Sequence, residues 1–331
     1  MAPAESGTRR TVMVTGGLGM IGALTCREML ADGITPVIYD LGTNTALLGD
    51  IADQCVIRQG DITDVPKMLS VLKENPVQSI VHLAGRLGPE VEKAPWGALS
   101  SNLVGFAAVL ECAHLTGVGR VVFASSKTVY GPVREEYRHP HYAPLPEEHP
   151  REPNSLYGKL KRASEDLGEH YANMHGLDVI ALRFGSSISP GKAGRHSKVS
   201  PVVAMLQAAA TGERFALASG GDQRDDLCYA GESANGIVAA LNSAPHTGFR
   251  AYNIAAGELL SLRDMAKVLM DSHRGWSCEI GDGLDYRGMG LGFYYRMDIS
   301  KAQRELGFVS RYPFHELAAD YEAAVKKAEA R

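Results

Sequence analysis

The stretch from Thr11 to Asp40 constrains the fold more than any other part of the chain. It begins with an apolar run, Val12 to Val14, which is too short for a helix and is typical of a strand buried on both faces. Apolar residues then recur at helical intervals up to Gly33, where a helix is expected to end. A second strand, Pro36 to Tyr39, leads to Asp40. Between the first strand and the helix, glycines recur in a G-x-x-G-x-x-G pattern at Gly16, Gly19 and Gly22.

A strand, a tight turn and a helix in this order can bind a pyrophosphate, because the free N–H groups and the positive end of the helix dipole face the turn. Asp40, at the tip of the next strand, can bind both hydroxyls of an adenosine ribose and repel a 2′-phosphate, so NAD is favoured over NADP. A plain strand-to-helix turn and a solvated strand end are the alternative interpretations. The phosphate contacts are expected from Gly16, Gly19, Met20, Ile21 and Gly22.

Composition narrows the class of protein. A chain of 331 residues exceeds the size at which a single core usually keeps growing, so one large nucleotide domain and a smaller lobe are expected. A net charge of −4 supplies no electrostatic footprint for nucleic acid. The five cysteines contain no C-x-x-C pair, which suits a reducing cytoplasm. We find no signal-peptide core and nothing approaching a spanning helix, so no membrane partner is expected.

Strands and helices alternate through the first half of the chain. Further strands are expected at 55–57, 79–83 and 121–123, with a long helix at 96–116. This alternation predicts an α/β fold with a doubly wound parallel sheet, or Rossmann fold, and a smaller C-terminal substrate-binding lobe. We assign residues 1–184 to the nucleotide domain, with sheet contributions from later segments, and residues 185–331 mainly to the lobe.

Several strand ends carry candidate ligand-binding residues, because ligands of open parallel sheets lie outside the carboxyl ends of the strands. Asp61 is expected either to reach the adenine amino group or to serve as a turn acid capping a helix that begins near Asp64. Ser125 and Ser126 follow the fifth strand, where capping of the next turn is the alternative. The proline-rich segment 132–153 suits a surface loop or lid, and its histidines do not predict a metal site. The fourth strand ends at Leu83, Ala84 and Gly85, where the small residues let backbone approach a flat ligand closely.

Tyr157 and Lys161 are four residues apart, on one face of a predicted helix. A free phenol has a pKa of about 10 and is a poor base at neutral pH. A lysine ammonium and an oxidised nicotinamide ring beside it would both stabilise the phenolate. Tyr157 could then take the proton of a secondary alcohol while the ring takes the hydride, and Ser126 would hold the same oxygen.

With these residues in place, the chain resembles the extended, or atypical, short-chain dehydrogenase/reductases, also called the NAD-dependent epimerase/dehydratase family. The matching pieces are TGGLGMIG at 15–22, Asp40, GDI at 60–62, HLAG at 82–85, Asn102 with Gly105, SSKTVYG at 125–131, YGKLK at 157–161, Arg183, RDDL at 224–227 and DISKAQRELGF at 298–308.

The resemblance implies an NAD cofactor, Tyr157 as general base or acid, and Lys161 bound to the nicotinamide ribose, where it lowers the tyrosine pKa. Ser126 takes the place of the substrate-binding serine or threonine. Ile62, Asn102, Ser125 and Phe184 are expected beside the cofactor. The helices near 96–116 and 155–174 are expected to pair with their copies in a homodimer.

Departures from the family pattern bear on the reaction. Dehydratases of the family carry an Asp-Glu pair where this chain has Lys127 and Thr128, and decarboxylases usually have glutamate at the position of Thr128. Neither elimination nor decarboxylation is therefore expected. Ser186 stands where many nucleotide-sugar epimerases have a substrate-binding asparagine. Arg224 matches a diphosphate-binding position, and Arg287 or Arg296 could add a second cation or make an ordinary surface pair.

The sequence therefore favours an NAD-dependent epimerase acting on a secondary hydroxyl of a sugar or nucleotide-sugar. The alternative is a net dehydrogenase or ketoreductase on a non-nucleotide sugar, polyol or hydroxy acid, and Ser186 keeps it open. A binding protein that has lost the chemistry is a third class, disfavoured because Tyr157 and Lys161 are both present. Basic residues that could meet an acidic substrate group, or lie in a solvated loop, are Lys192, Arg195, His196 and Lys198.

Overall fold

The computed structural model describes residues 10–189 and 200–329. Its strands, in chain order, are β1 (Thr11–Thr15), β2 (Thr35–Asp40), β3 (Val56–Gln59), β4 (Val77–His82), β5 (Arg120–Ser126), β6 (Asp178–Phe184), β7 (Ser186–Ile188), β8 (Phe215–Leu217), β9 (Arg224–Tyr229), β10 (Gly248–Ile254), β11 (Leu259–Ser261) and β12 (Cys278–Ile280).

The helices are α1 (Met20–Ala31), α2 (Val65–Glu74), α3 (Gly88–Lys93), α4 (Pro95–Thr116), α5 (Leu156–His175), α6 (Pro201–Thr211), α7 (Ala230–Asn242), α8 (Leu262–Ser272), α9 (Ser300–Leu306) and α10 (Phe314–Glu329). The long helix α4 contains a π-helical segment, Ser100–Val104, which the sequence pattern did not predict.

In the described residues, seven strands form one sheet in the order β10-β6-β5-β4-β1-β2-β3. β1 pairs in parallel with both β2 and β4. The strands β2 and β3 therefore lie on one side of β1, and β4, β5, β6 and β10 lie on the other. The pairs β2–β3 and β4–β5 are parallel as well. In such a sheet the crevice for a ligand opens at the carboxyl ends of β1 and β4. The predicted fold class, a doubly wound sheet of the Rossmann type with flanking helices, is confirmed.

Two compact units account for the described residues. The first comprises 10–125, 159–182 and 234–251, and the second comprises 126–158, 183–189, 200–233 and 252–329. The first unit has an apolar core of strand and helix residues that includes Met13, Ile80 and Phe106. The second has a core that includes Leu206, Tyr229 and Leu262, together with the small sheets β11-β9-β7 and β12-β8.

A buried arginine anchors the strand that carries the predicted serines. Arg120 begins β5, and its guanidinium pairs with Asp178 at 2.7 Å. It also donates to main-chain carbonyls where α7 ends, which are those of Ala240, Leu241, Ser243 and Ala244. A cation is favourable there because the last carbonyls of a helix lack partners within the helix. This contact fixes β5 at the amino end, opposite the end that carries Ser125.

Helix α4 is the most apolar long helix in the described residues. It has 22 residues and a mean hydropathy of 1.3 in its most apolar window, so by length and composition alone it could cross a bilayer. The expectation that nothing approaches a spanning helix was therefore too strict. Half of that window is buried inside the protein, since Phe106, Val109 and Leu110 lie in the core of the first unit.

Candidate active site

The glycine turn after β1 lies against the end of β4. Gly16 has a φ of +72°, and a Cβ on it would lie 2.7 Å from the main-chain nitrogen of Ala84. A Cβ on Gly22 would lie 2.5 Å from the carbonyl oxygen of Gly16. Side chains at these two positions would clash with backbone, so both glycines are required for the turn to fold this closely.

The amino end of α1 is open to an anion. Gly19 is the N-cap residue, no side chain in the described part of the chain caps it, and the first turn has no acidic residue. Met20 and Ile21 begin the helix, so its first N–H groups point towards the glycine turn. These features fit the pyrophosphate of a dinucleotide, as the sequence predicted.

Asp40 is joined to the glycine turn by hydrogen bonds. Its Oδ2 accepts from the main-chain N–H of Leu18 at 3.1 Å, and its Oδ1 accepts from that of Gly42 at 2.9 Å. The side chain is partly exposed. Asp40 is therefore a positioned carboxylate beside the turn, which fits the predicted ribose contact better than a solvated strand end does.

Asp61 does not cap the next helix, because Asp64 does. Asp64 Oδ1 accepts from the N–H of Lys67 at 3.1 Å, whereas Asp61 Oδ1 accepts from the N–H and hydroxyl of Thr63 at 2.8 and 2.7 Å. Ile62, which follows, is buried against Gly105, where a Cβ would lie 2.5 Å from its Cδ1 atom. The cofactor contact of Asp61 stays a prediction.

The loop after β4 is held from within the first unit. Leu83 donates its N–H to the carbonyl of Thr15 at 3.0 Å. Asn102, buried in α4, accepts from the N–H of Arg86 at 2.7 Å and donates to the carbonyl of Arg86 at 2.9 Å. Gly85, at φ +159°, packs against the same amide. Asn102 thus fixes the backbone of a loop in which Leu83, Ala84 and Gly85 were predicted to meet the cofactor.

His82 belongs to the same region and was missed by sequence reasoning. It is buried, its Nδ1 lies 2.8 Å from the hydroxyl of Thr15, and its ring stacks on Phe106 and Phe123. Burial lowers the pKa of His82 to about 3, helped by the positive charge of Lys161. The histidine is therefore neutral at physiological pH. The sequence contains no signal of this buried, neutral state, because it shows only a single histidine at the end of an apolar strand.

Lys161 is buried in the first unit beside the end of β5. Its ammonium donates to the carbonyl of Ala124 at 2.6 Å and lies over the ring of Phe123. Burial lowers the pKa of Lys161 to about 8, and the charge of Glu165 opposes that shift. Ser125, predicted beside the cofactor, donates its hydroxyl to Glu165 Oε1 at 2.5 Å.

Ser126 and Tyr157 lie together in the second unit. A hydrogen bond from Ser126 lowers the pKa of the Tyr157 phenol, but desolvation has the larger effect and raises it to about 12. Ser126 also accepts from the N–H and hydroxyl of Thr128 at 3.2 and 3.0 Å, so the turn-capping interpretation holds for this serine as well. Tyr157 and Lys161 are one turn apart on the single helix α5.

Two of the predicted substrate residues of the second unit, Ser186 and Arg287, meet beside Asp225. Arg287 pairs with Asp225 at 2.8 Å and points another nitrogen at the hydroxyl of Ser186, at 3.4 Å. Its Nε is buried and has no hydrogen-bond partner among the described residues. Burial alone would lower the pKa of Arg287, but Asp225 raises it, so the guanidinium stays charged. Arg224 and Arg296 are exposed.

Lys127, which replaces an acid of the dehydratases, is also directed at Asp225. Its ammonium lies 3.4 Å from Asp225 Oδ1 and over the ring of Tyr295. Burial lowers the pKa of Lys127, opposed by the charge of Asp225. The neighbouring Asp226 is fully buried, and burial raises its pKa to about 7. Sequence reasoning missed this cluster because its members are distant in the chain.

Several other residues that the sequence analysis named are buried or hold neighbouring segments by hydrogen bonds, and four lie outside the described residues. Phe184 is buried at the end of β6. Arg183 matches the family pattern. Its guanidinium donates to the hydroxyl of Tyr130 and to the carbonyl of Glu147. The segment 132–153 is partly packed, since Leu145 is fully buried and its N–H donates to the carbonyl of Arg296. The basic residues Lys192, Arg195, His196 and Lys198 lie outside the described residues.

Comparison with known proteins shows what the chain is similar to along most of its length. A family model described as NAD dependent epimerase/dehydratase family matches residues 12–255. UDP-glucose 4-epimerase 4 of Oryza sativa subsp. japonica is 28% identical, over 97% of this chain and 91% of that protein.

Solved structures share the fold across nearly the whole chain. A UDP-glucose-4-epimerase from Stenotrophomonas maltophila, with bound NAD and formylated UDP-arabinopyranose, matches with a TM-score of 0.83 and 23% identity over 96% of this chain and 99% of that chain. A partial consensus L-threonine 3-dehydrogenase matches with a TM-score of 0.77 and 23% identity over the same shares. One fold thus carries both an epimerase and a net dehydrogenase.

Proposed function

Because the chain belongs to the NAD dependent epimerase/dehydratase family and takes NAD as its cofactor, we propose that it interconverts two epimers of a nucleotide-sugar at a secondary hydroxyl. The observation that carries the proposal is the hydrogen bond between Ser126 and Tyr157. It joins two hydroxyl groups that can hold one substrate oxygen between them. The similarity to a UDP-glucose 4-epimerase over nearly all of the chain supports the same reaction class.

In this proposal Tyr157 takes the proton of the substrate hydroxyl and later returns it, while Ser126 donates a hydrogen bond to the same oxygen. When bound, NAD would accept the hydride from the substrate carbon that carries this hydroxyl and, in its reduced form, would return a hydride to the opposite face of the same carbon. The phenol, with a pKa of about 12, needs nearby positive charge to act as a base. Lys161, one helical turn further along α5, is the residue of this chain that would provide it.

The turn residues Gly16, Gly19 and Gly22 would hold the pyrophosphate of the cofactor, and Asp40 its adenosine ribose. The support is the tight glycine turn, the uncapped start of α1 and the positioned carboxylate of Asp40. Asp61, Ile62, Leu83, Ala84, Gly85, Asn102, Ser125 and Phe184 stay proposed as cofactor neighbours. We assign cofactor binding to residues 1–184 and substrate binding mainly to residues 185–331.

We assign the diphosphate of the substrate to Arg287, with Arg224 as its exposed partner. The unpartnered, buried Nε of Arg287 supports this, because such a donor is costly unless a ligand oxygen accepts from it. Asp225 fixes the guanidinium from the other side. Arginine suits the role because its planar donors match phosphate oxygens. Ser186, which already meets Arg287, would contact the sugar or its phosphate.

Elimination of water is not part of the proposed reaction. It needs a further acid and base next to Ser126, and this chain has Lys127 and Thr128 there. The Lys127 side chain is buried and directed at Asp225, so it does not replace the missing acid.

A net dehydrogenase on a non-nucleotide substrate is the second candidate. The hydroxyl of Ser186, where many epimerases have an asparagine amide, favours it, because a hydroxyl offers a smaller set of hydrogen bonds to a sugar. Purified protein, NAD and candidate NDP-sugars or free polyols separate the two. Epimer formation without accumulation of NADH supports the epimerase, and stoichiometric NADH without a new epimer supports the dehydrogenase.

Two variants on one helix test the role of the phenol. We expect Tyr157→Phe to lower kcat by about 10²- to 10⁴-fold, as for loss of a general acid–base group. Tyr171→Phe is the matched control, because its hydroxyl lies on α5 but donates to Glu111. Equal turnover in the parent and in Tyr157→Phe would remove Tyr157 from the mechanism.

We also propose that the enzyme is a cytoplasmic homodimer. All five cysteines are free, which fits a reducing compartment. Helices α4 and α5 are the elements we assign to the dimer interface.

A further inference from the structure

A carboxylate lies buried one helical turn beyond Lys161. Glu165 is fully buried on α5, and its Oε1 accepts a hydrogen bond of 2.5 Å from the hydroxyl of Ser125 in β5. Hydroxyl-to-carboxylate bonds of this length are typical of an ionised acceptor. A buried charge of this kind is costly unless it is hydrogen-bonded and paired with an opposite charge. The Ser125 hydroxyl and the Lys161 ammonium meet both conditions.

Several neutral groups also face Lys161. From β5 these are the carbonyl of Ala124, which accepts from the ammonium at 2.6 Å, and the ring of Phe123. From β4 it is His82, whose ring also stacks on Phe106 of α4 and which is uncharged because its pKa is about 3. Among the described residues, the negative charge that acts on Lys161 is therefore that of Glu165.

We propose that Glu165 is a positioning residue, held by Ser125, that supplies the buried counter-charge for the Lys161 ammonium and so sets the pH range in which this lysine is charged. Because the lysine acts in the proposed epimerase mechanism, the catalytic consequence rests on that proposed function. The charge state of Lys161 itself does not.

The direction of the effect follows from the environment of the lysine. Burial already lowers the pKa of Lys161 to about 8, and Glu165 acts against burial. A charge of opposite sign at close range shifts a pKa by about 1–3 units. Glu165→Gln keeps the shape and an acceptor for Ser125 but removes the charge. The pKa of Lys161 should then fall by about one unit or more, and the ammonium should lose its proton near neutral pH.

Nuclear magnetic resonance of the full-length protein, labelled with ¹³C at the lysine Cε, tests this directly. The Lys161 signal is identified by its absence in Lys161→Arg, and its chemical shift is followed from about pH 6 to about pH 10 to span the lysine titration. We expect a midpoint about one unit lower in Glu165→Gln than in the parent. Glu169→Gln, at an exposed position of α5, is the matched control and should leave the midpoint unchanged.

Glu165→Asp retains the charge but draws it back, so its midpoint should lie between those of the parent and Glu165→Gln. This variant also replaces Glu165→Gln if the latter does not fold. An unchanged midpoint in both variants overturns the proposal. So does an equal fall in Glu169→Gln.

Turnover separates this inference from the proposed function. In an active enzyme, the high-pH fall of kcat/KM should move to lower pH in Glu165→Gln by the same amount as the lysine midpoint. A shifted midpoint in a protein that converts no sugar supports the role of Glu165 and contradicts the epimerase. Epimerisation by the parent with an unshifted midpoint in the variants does the reverse.

Discussion

Asp40 is the residue from which cofactor choice can be tested at the scale of one side chain. Its two carboxylate oxygens accept from the N–H groups of Leu18 and Gly42, so Asp40→Asn keeps the size of the side chain and one of these two acceptors but removes the charge. In Asp40→Asn the repulsion of a 2′-phosphate is lost. We expect the ratio of the Kd for NADP to the Kd for NAD to fall by about tenfold or more, measured by calorimetric titration.

Asp61→Asn is the control for this prediction. Its carboxylate bonds to Thr63 and is not assigned to the ribose, so its removal should change the two Kd values by similar factors. A ratio that stays constant in Asp40→Asn would show that another group discriminates between the cofactors.

Single residues also show where sequence reasoning ends. Gly16, Tyr157 and Lys161 were predicted because each has its meaning within a few neighbouring positions. Glu165 was not, because its role depends on Ser125, which lies 40 positions away. His82 stayed hidden for the same reason, since its neutral state follows from complete burial. Burial and distant partners set the charge of these groups, and neither is visible in a local pattern.

At the scale of elements, the turn between β1 and α1 permits a comparison between two glycines of nearly equal φ. Gly16 has a φ of +72°, and a Cβ on it would lie too close to the backbone of Ala84. Gly33 has a φ of +73°, and a Cβ on it would have no atom within 4 Å. Gly33→Ala should cost only the left-handed backbone strain of about 1–2 kcal/mol. We expect Gly16→Ala to lower the free energy of unfolding by clearly more than Gly33→Ala does, because the turn must move away from β4. For the same reason, Gly16→Ala should weaken NAD binding.

Urea unfolding of the two variants, followed by NAD titration, provides the measurement. Equal losses of stability with unchanged NAD affinity in both would mean that the close approach of Gly16 to Ala84 is unimportant for the cofactor site.

The boundaries of the elements were harder to predict than their existence. The fifth strand was expected at Val121 to Phe123 and spans Arg120 to Ser126, because Arg120, Ser125 and Ser126 at its two ends carry no apolar strand signal. The strand Ser186–Ile188 was not predicted, since three residues carry no periodic signal. Helix α4 was predicted, but not its π-helical segment.

For the whole molecule, the fold and family were accessible because glycine, Asp40 and Tyr-Lys motifs occur in one order along the chain. The alternation of strand and helix predicts a parallel sheet, and in the described residues β1 lies between β2 and β4, as in the Rossmann order of strands. The units were not accessible in this way. Each is assembled from segments far apart in sequence, and packing brings those segments together.

The proposed homodimer is a property of the whole molecule, and its support is a set of exposed apolar side chains on α4 and α5 of the first unit. On α4, Val104 and Leu115 are 51% and 57% exposed, and on α5 Met174 is 65% exposed. The two helices meet at their carboxyl ends, where the rings of His114 and His175 lie 3.9 Å apart. Apolar side chains left in water favour association, because burying them removes apolar surface from solvent.

We therefore expect light scattering to give twice the 35.5 kDa mass of one chain. Leu115→Glu would bury a carboxylate in the interface and should raise the dimer dissociation constant by at least about tenfold. Val309→Glu is the matched control, because Val309 is 66% exposed but lies outside α4 and α5. A monomeric parent, or equal dissociation of both variants, would contradict the assignment. A rise of the dissociation constant in Leu115→Glu alone would place the exposed apolar side chains of α4 and α5 in the interface.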